Sequence, residues 1–135
     1  MLTTLLLLPL ALADDPTLAA PVSAVVAREP AALSLRAAGL GRVSVDACAP
    51  FELERQVEGR WVPQPAAACP KPMTALSFAD ETTLSVTVPS PGTWRVKVAW
   101  GTGCKADRPF VEAACGALGF ATSPPFEVKA APTPG

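Results

Sequence analysis

Apolar and polar residues alternate with a period of two along most of this chain. The clearest stretch is Trp94–Trp100, in which two tryptophans and two valines alternate with two basic residues and an alanine. Successive side chains of a β-strand point to opposite faces of its sheet, so this pattern is that of a half-buried strand. Thr83–Val88 repeats the pattern with hydroxyl residues at the polar positions. The Pro91-Gly92 turn signal between the two stretches indicates that they are separate strands.

Further stretches predict additional short strands with turns between them. In Phe51–Val57 the apolar residues lie on one face, and Arg55 is the only charged residue on that face. Glu58-Gly59 then forms a turn that leads into a hairpin partner at Arg60–Val62. Shorter candidates lie at 22–26, 33–38, 43–45 and 126–129. Helical periodicity is missing apart from a possible single turn near 111–117. About seven short strands indicate an all-β, antiparallel sandwich, with a closed barrel as the alternative.

The first segment of the chain has the character of an export signal. Its apolar run is shorter than the roughly 20 residues of a membrane span, and Ala11-Leu12-Ala13 supplies the small-x-small pattern of a signal-peptidase site. We expect a signal peptide at 1–13, with a buried N-terminal strand or helix as the alternative. The other expected units are a flexible segment at 14–21, a β-sandwich domain at 22–129 and a Pro-rich tail at 130–135. The expected location is secreted or periplasmic, with no membrane insertion after cleavage.

The four cysteines fit an oxidising compartment, where an even number usually forms disulfides. Three pairings are possible. We favour the local pairs Cys48–Cys69 and Cys104–Cys115, because each would close one loop between strands. No CxxC spacing is present, and a zinc site built from all four thiolates is the competing interpretation.

The composition narrows the range of functions. The 135 residues fit one domain, and the formal net charge of −1 argues against a nucleic-acid partner. The chain has no histidine, the commonest general base and zinc ligand, and no GxSxG elbow. The carboxylate pairs Asp14-Asp15, Glu52/Glu54 and Asp80-Glu81 are interpreted as surface charges. We therefore expect no catalytic residues, no metal site and no cofactor. Asn, Ile and Tyr are also absent, which indicates a GC-rich, bacterial source.

Three segments carry a resemblance to a known fold. Pro91–Val98, with a turn glycine before an aromatic residue, resembles the penultimate strand of immunoglobulin-like and fibronectin-III-like sandwiches. Ser123–Val128 is similar to their closing strand, and Phe51–Val62 resembles the central hairpin of secreted bacterial members. The chain departs from antibody domains in having Val96 where they carry a cysteine, and Trp94 where a tyrosine would form the tyrosine corner. The resemblance implies a fold and no reaction.

Two regions are candidate contact surfaces. Gly101–Pro125 is a long excursion, and long loops on sandwiches often carry recognition. Its candidate contact residues are Lys105, Arg108 and Phe110, and capping of the core is its alternative role. Trp61 and Trp100 are the second candidate, because an exposed indole provides a large apolar contact, although the alternation also allows Trp100 to fill the core.

These observations predict an exported, non-catalytic binding or structural module. Its partner would be a protein or a cell-surface component that contacts loops at the strand ends. The alternative function is a secreted proteinase inhibitor that inserts the Gly101–Pro125 loop, with its expected disulfide, into a protease.

Overall fold

The computed structural model describes residues 15–48, 50–65 and 73–132. Within these residues the chain is all-β, and its only helix is the single 3-10 turn η1. The elements are β1 (Thr17–Leu18), β2 (Val25–Val26), β3 (Pro30–Arg36), β4 (Val43–Val45), β5 (Phe51–Val57), β6 (Arg60–Pro63), β7 (Leu76–Phe78), β8 (Glu81–Thr87), β9 (Gly92–Thr102), η1 (Phe110–Glu112), β10 (Ala117–Thr122) and β11 (Phe126–Lys129).

The smaller sheet contains three antiparallel strands in the order β1-β3-β8. Leu33 on β3 lies opposite Leu84 on β8, and both side chains are buried. Their neighbours Ser34 and Thr83 lie opposite each other on the outer face. This sheet therefore has the apolar-in, hydroxyl-out alternation that the sequence predicts for Thr83–Val88.

The larger sheet is organised around β9. One edge of β9 pairs with β11 near its start and with β10 along 97–102, and the other edge pairs with β5 along 94–98 and with β4 at its end. β6 extends the sheet from β5, and β7 extends it from β4. β2 joins β11 in parallel, so the sheet is mixed and the expectation of purely antiparallel strands is wrong.

One hydrophobic core includes residues of both sheets. Trp94, Val96 and Val98 of β9 are fully buried and belong to the same cluster as Leu33 and Leu35 of β3. The indole N–H of Trp94 donates to the carbonyl oxygen of Ser90 at 2.9 Å, so the polar atom of this buried ring is paired. The inward positions predicted for Trp94–Trp100 are confirmed.

The structure adds a strand that the sequence pattern does not predict. β10 lies inside the Gly101–Pro125 excursion, so only 103–116 and 123–125 of that excursion lie outside strands. Its inward positions hold Ala117, Gly119 and Ala121, whereas Leu118 and Phe120 point outward. Between Ala117 and Ala121 no polar residue marks an outer face, so the stretch lacks the apolar–polar alternation of a half-buried strand.

One further expectation differs from the structure. The segment 14–21 is expected to be flexible, but Leu18 is buried and β1 pairs with β3 through Leu18 and Leu35. The short helical turn expected near 111–117 is present as the 3-10 helix η1 at Phe110–Glu112. Short strands that bury one apolar side chain give too little periodicity to be recognised in the sequence.

The expected disulfide Cys104–Cys115 lies within the described residues and is confirmed. The pairing Cys48–Cys69 includes Cys69, which lies outside the described residues, as do the predicted signal peptide 1–13 and the last three residues of the predicted tail. Within the described ranges no helix has the length and apolar character needed to cross a membrane.

Candidate functional site

The hairpin of β5 and β6 places Trp61 on the outer face of the larger sheet. Trp61 lies opposite Gln56 of β5, and Glu54 of β5 in turn lies opposite Arg95 of β9. The guanidinium carbon of Arg95 is 4.3 Å from the centroid of the Trp61 ring. This distance is that of a cation–π contact, which holds the partly exposed indole against the sheet.

Arg95 is held from its other side by a carboxylate. Its Nε donates to Oε1 of Glu54 at 2.6 Å, and the two side chains are only 28% and 11% exposed. A carboxylate with so little solvent contact requires a cation or hydrogen-bond donors, and Arg95 supplies both. Trp61, Arg95 and Glu54 therefore form one ordered unit across three strands, with the indole at the surface.

The outer face continues from Arg95 towards β10. Lys97 is two residues farther along β9 and lies opposite Glu52 of β5. Its Nζ is 5.2 Å from the centroid of the Phe120 ring, and Phe120 is 57% exposed. Each of the two basic side chains of β9 thus contacts one aromatic ring, Trp61 of β6 on one side and Phe120 of β10 on the other. We call the surface of Trp61, Arg95, Lys97 and Phe120 the outer aromatic face.

The disulfide lies at the end of the same face. Gly101 follows Lys97 and Ala99 on the outward side of β9, and a Cβ at this position would be 2.5 Å from Sγ of Cys115 and 3.0 Å from Sγ of Cys104. Only a glycine allows the bridge to pack so closely on the strand. The outer aromatic face and the base of the disulfide loop are therefore continuous.

The disulfide loop is held by backbone hydrogen bonds. The Lys105 N–H donates to the carbonyl oxygen of Ala113 at 2.7 Å, and the Arg108 carbonyl oxygen accepts from the Ala75 N–H at 2.9 Å. Ala113 is fully buried beneath the loop. The side chains of Lys105 and Arg108 are exposed and that of Phe110 is half-buried, so all three predicted contact residues of this loop reach the surface.

Trp100 is not on this surface. It faces the core, is only 6% exposed and lies against Gly119 of β10, where a Cβ would be 2.4 Å from its Cζ2. Its Nε1 is buried and has no hydrogen-bond partner. Trp100 is therefore a core residue and not a contact residue, which is the alternative that the alternation allows. The ring fills the volume that the small inward residues of β10 leave open.

The sequence pattern identifies Trp61 as a candidate contact residue but does not identify the residues that hold it. Glu54 is interpreted there as a solvated edge charge, and Arg95 and Lys97 only as the polar side of a strand. The position of Arg95 two strands from Trp61 depends on the register of β5 on β9, and no local pattern encodes that register. The one available signal is the clustering of acidic residues on β5 and basic residues on β9, which are complementary across a strand pair.

The described residues contain no cluster of three or more histidine, cysteine or acidic side chains that could hold a metal ion. The outer aromatic face instead combines two rings in contact with cations, one shielded ion pair and a loop closed by a disulfide. Comparisons with protein-family models, with curated proteins and with solved structures find no match to this chain.

Proposed function

We propose that this chain is an exported, non-catalytic binding module that docks a protein or cell-surface component on its outer aromatic face and the adjoining disulfide loop. The observation that carries the proposal is the row formed by Trp61, Arg95, Lys97 and Phe120 across the larger sheet. Aromatic and arginine side chains are enriched at the energetic centres of protein interfaces. Here they are ordered in advance, which lowers the entropy cost of binding.

The proposal includes an immunoglobulin-like arrangement of the two sheets. The strand order supports it. The sheet β1-β3-β8 faces a larger sheet in which β9 has β11 and β10 on one side and β5, followed by β6, on the other. Such sandwiches expose the outer face of one sheet and the loops at its end. The disulfide supports the export part of the proposal, because disulfides persist in oxidising compartments.

The charges of the face indicate the kind of partner. Arg95 is compensated by Glu54, and Lys97 lies opposite Glu52, so the face has no net basic field along the strands. A nucleic acid would require uncompensated cations along its backbone. A protein surface with apolar and hydrogen-bonding groups fits the alternation of rings and shielded charges better.

The experiment compares two outer faces of the same protein. The purified chain and its Trp61→Ala variant are immobilised and exposed to extracytoplasmic proteins of the source organism, and a captured protein is then titrated by calorimetry. We expect Trp61→Ala to weaken binding at least about tenfold, the scale of an interface hot spot. The matched control, Thr83→Ala on the outer face of the smaller sheet, should leave the affinity unchanged. Equal affinity for the wild type and Trp61→Ala would contradict the proposal.

A second candidate function is inhibition of a proteinase by the disulfide loop. The observation that favours it is the closed loop itself, which presents the exposed basic residues Lys105 and Arg108. A rigid basic loop suits a protease that cleaves after Lys or Arg. The same preparation separates the two functions, because an inhibitor would slow a trypsin-like protease in proportion to its concentration and Trp61→Ala would not alter that effect.

A further inference from the structure

The outer edge of β10 is unlike the other sheet edges of the described chain. β10 pairs only with β9, and its six residues Ala117–Thr122 include neither a charge nor a proline. β6 carries Arg60 and Pro63, β8 begins with Glu81 and exposes hydroxyl residues, and β1, β2 and β7 have three residues or fewer. Charges, prolines and short lengths are the devices that keep sheet edges from pairing. β10 has none of these devices.

The backbone of β10 directs alternate residues to that open edge. The Ser123 N–H donates to the Val96 carbonyl oxygen at 2.8 Å, in line with the ladder of β10 on β9. Groups that face the same neighbour recur at every second residue of an antiparallel ladder. Residues 117, 119 and 121 therefore face β9, while Leu118, Phe120 and Thr122 direct their N–H and C=O groups outward. Among the described residues, no backbone group pairs with these three, since the nearby β1 pairs with β3.

The side chains of β10 are symmetric about Gly119. Leu118 and Phe120 are 68% and 57% exposed on one face, and Ala117 and Ala121 lie on the other. A two-fold axis at Gly119 would place Leu118 opposite Phe120 of a second copy and Ala117 opposite its Ala121. Opposite residues share a face and pack together, and no like charges meet. The same register aligns the outward N–H and C=O groups of Leu118 with those of Phe120.

We propose that two copies of this chain associate through their β10 strands, antiparallel and edge to edge, to form one continuous sheet. This inference goes beyond the proposed function. Trp61 lies on β6, three strands away from β10, so the association would leave both indoles free at opposite ends of the joined sheet. A pair of this kind would present its outer aromatic faces twice, and a repetitive partner would then bind with avidity.

Sedimentation equilibrium of the purified full chain over a wide concentration range is the first test. We expect a reversible equilibrium between one and two chain masses. Leu118→Pro removes an outward N–H that β9 does not use, and it should weaken the association at least about tenfold. Leu118→Lys places two like charges near the two-fold axis and should also weaken the association. This variant replaces Leu118→Pro in the test if the proline variant fails to fold. Val111→Lys is the matched control, because Val111 is 84% exposed and lies outside β10.

Amide hydrogen exchange is the second test, because it reports the proposed edge residue by residue. The amides of Leu118 and Phe120 should exchange more slowly as the protein concentration rises, while those of Gly119 and Ala121 stay protected throughout. A mass of one chain at every concentration would overturn the inference. This holds whether the amides of Leu118 and Phe120 exchange freely or are protected within a single chain. A dimer that neither Leu118 variant weakens would overturn it as well. None of these outcomes depends on Trp61, so the proposed function is tested separately.

Discussion

Each of the two sheets carries an arginine–glutamate pair on its outer face, and the two pairs differ in almost every respect. On the smaller sheet, Arg36 Nε lies 3.0 Å from Glu81 Oε2, and the side chains are 72% and 43% exposed. On the larger sheet, the distance from Arg95 Nε to Glu54 Oε1 is 2.6 Å, the side chains are mostly buried, and Trp61 covers the guanidinium. The first pair is a solvated surface contact, whereas the second is part of an ordered surface.

The two outer faces also differ in the side chains that they expose. Neither face is needed to fill the core, and the smaller sheet accordingly shows the hydroxyl residues Ser34, Thr83 and Ser85. The larger sheet instead exposes rings that water would disfavour, and it fixes them with cations. These ordered but unburied rings are the feature on which the proposed contact with another molecule rests.

Among substitutions in the larger sheet, removal of the disulfide should lower the free energy of unfolding the most. We expect Cys104→Ser with Cys115→Ser to lower the free energy of unfolding by about 3 kcal/mol, because the short loop regains its freedom in the unfolded chain. Urea denaturation followed by tryptophan fluorescence measures the change. Ser34→Ala on the smaller sheet is the control, and its effect should stay within about 0.5 kcal/mol. A double variant as stable as the control would show that the loop is held without its bridge.

Arg95→Ala should have the next largest effect. The substitution leaves the Glu54 carboxylate shielded from water without its cation, and we expect a loss of about 2 kcal/mol in the free energy of unfolding. Replacement of Glu54 by Gln in the same variant should recover part of that loss, because an unpaired amide costs less to bury than an unpaired charge. If the double variant were no more stable than Arg95→Ala, burial of Glu54 would not be the cause.

Arg36→Ala should have the smallest effect. Its pair with Glu81 is largely solvated, and pairs of this kind contribute at most about 1 kcal/mol to stability. The same urea titration measures it, and added salt should leave the wild type and the variant equally stable. A loss as large as that of Arg95→Ala would remove the distinction between the two outer faces.

Much of the fold follows from local pattern, and the candidate site follows only in part. The strand around Trp94–Trp100, the Phe51–Val62 hairpin and the Cys104–Cys115 bridge are predicted and confirmed. Trp61 is a candidate from the sequence because an exposed indole provides a large apolar contact. Its contact with Arg95 was not, because it depends on residues that are distant in the chain.

Which face of β3, β5, β8 and β9 is buried follows from the sequence, because their apolar and polar residues alternate and the apolar side faces the core. Only the tertiary structure decided how the strands align with one another, and with that the partners of Glu54, Arg95 and Lys97. It also decided the roles of Trp100 and β10 together, because the indole occupies the space at Gly119 and leaves Phe120 on the outside. The physical reason is that burial is read along one strand, whereas register and volume are shared between strands.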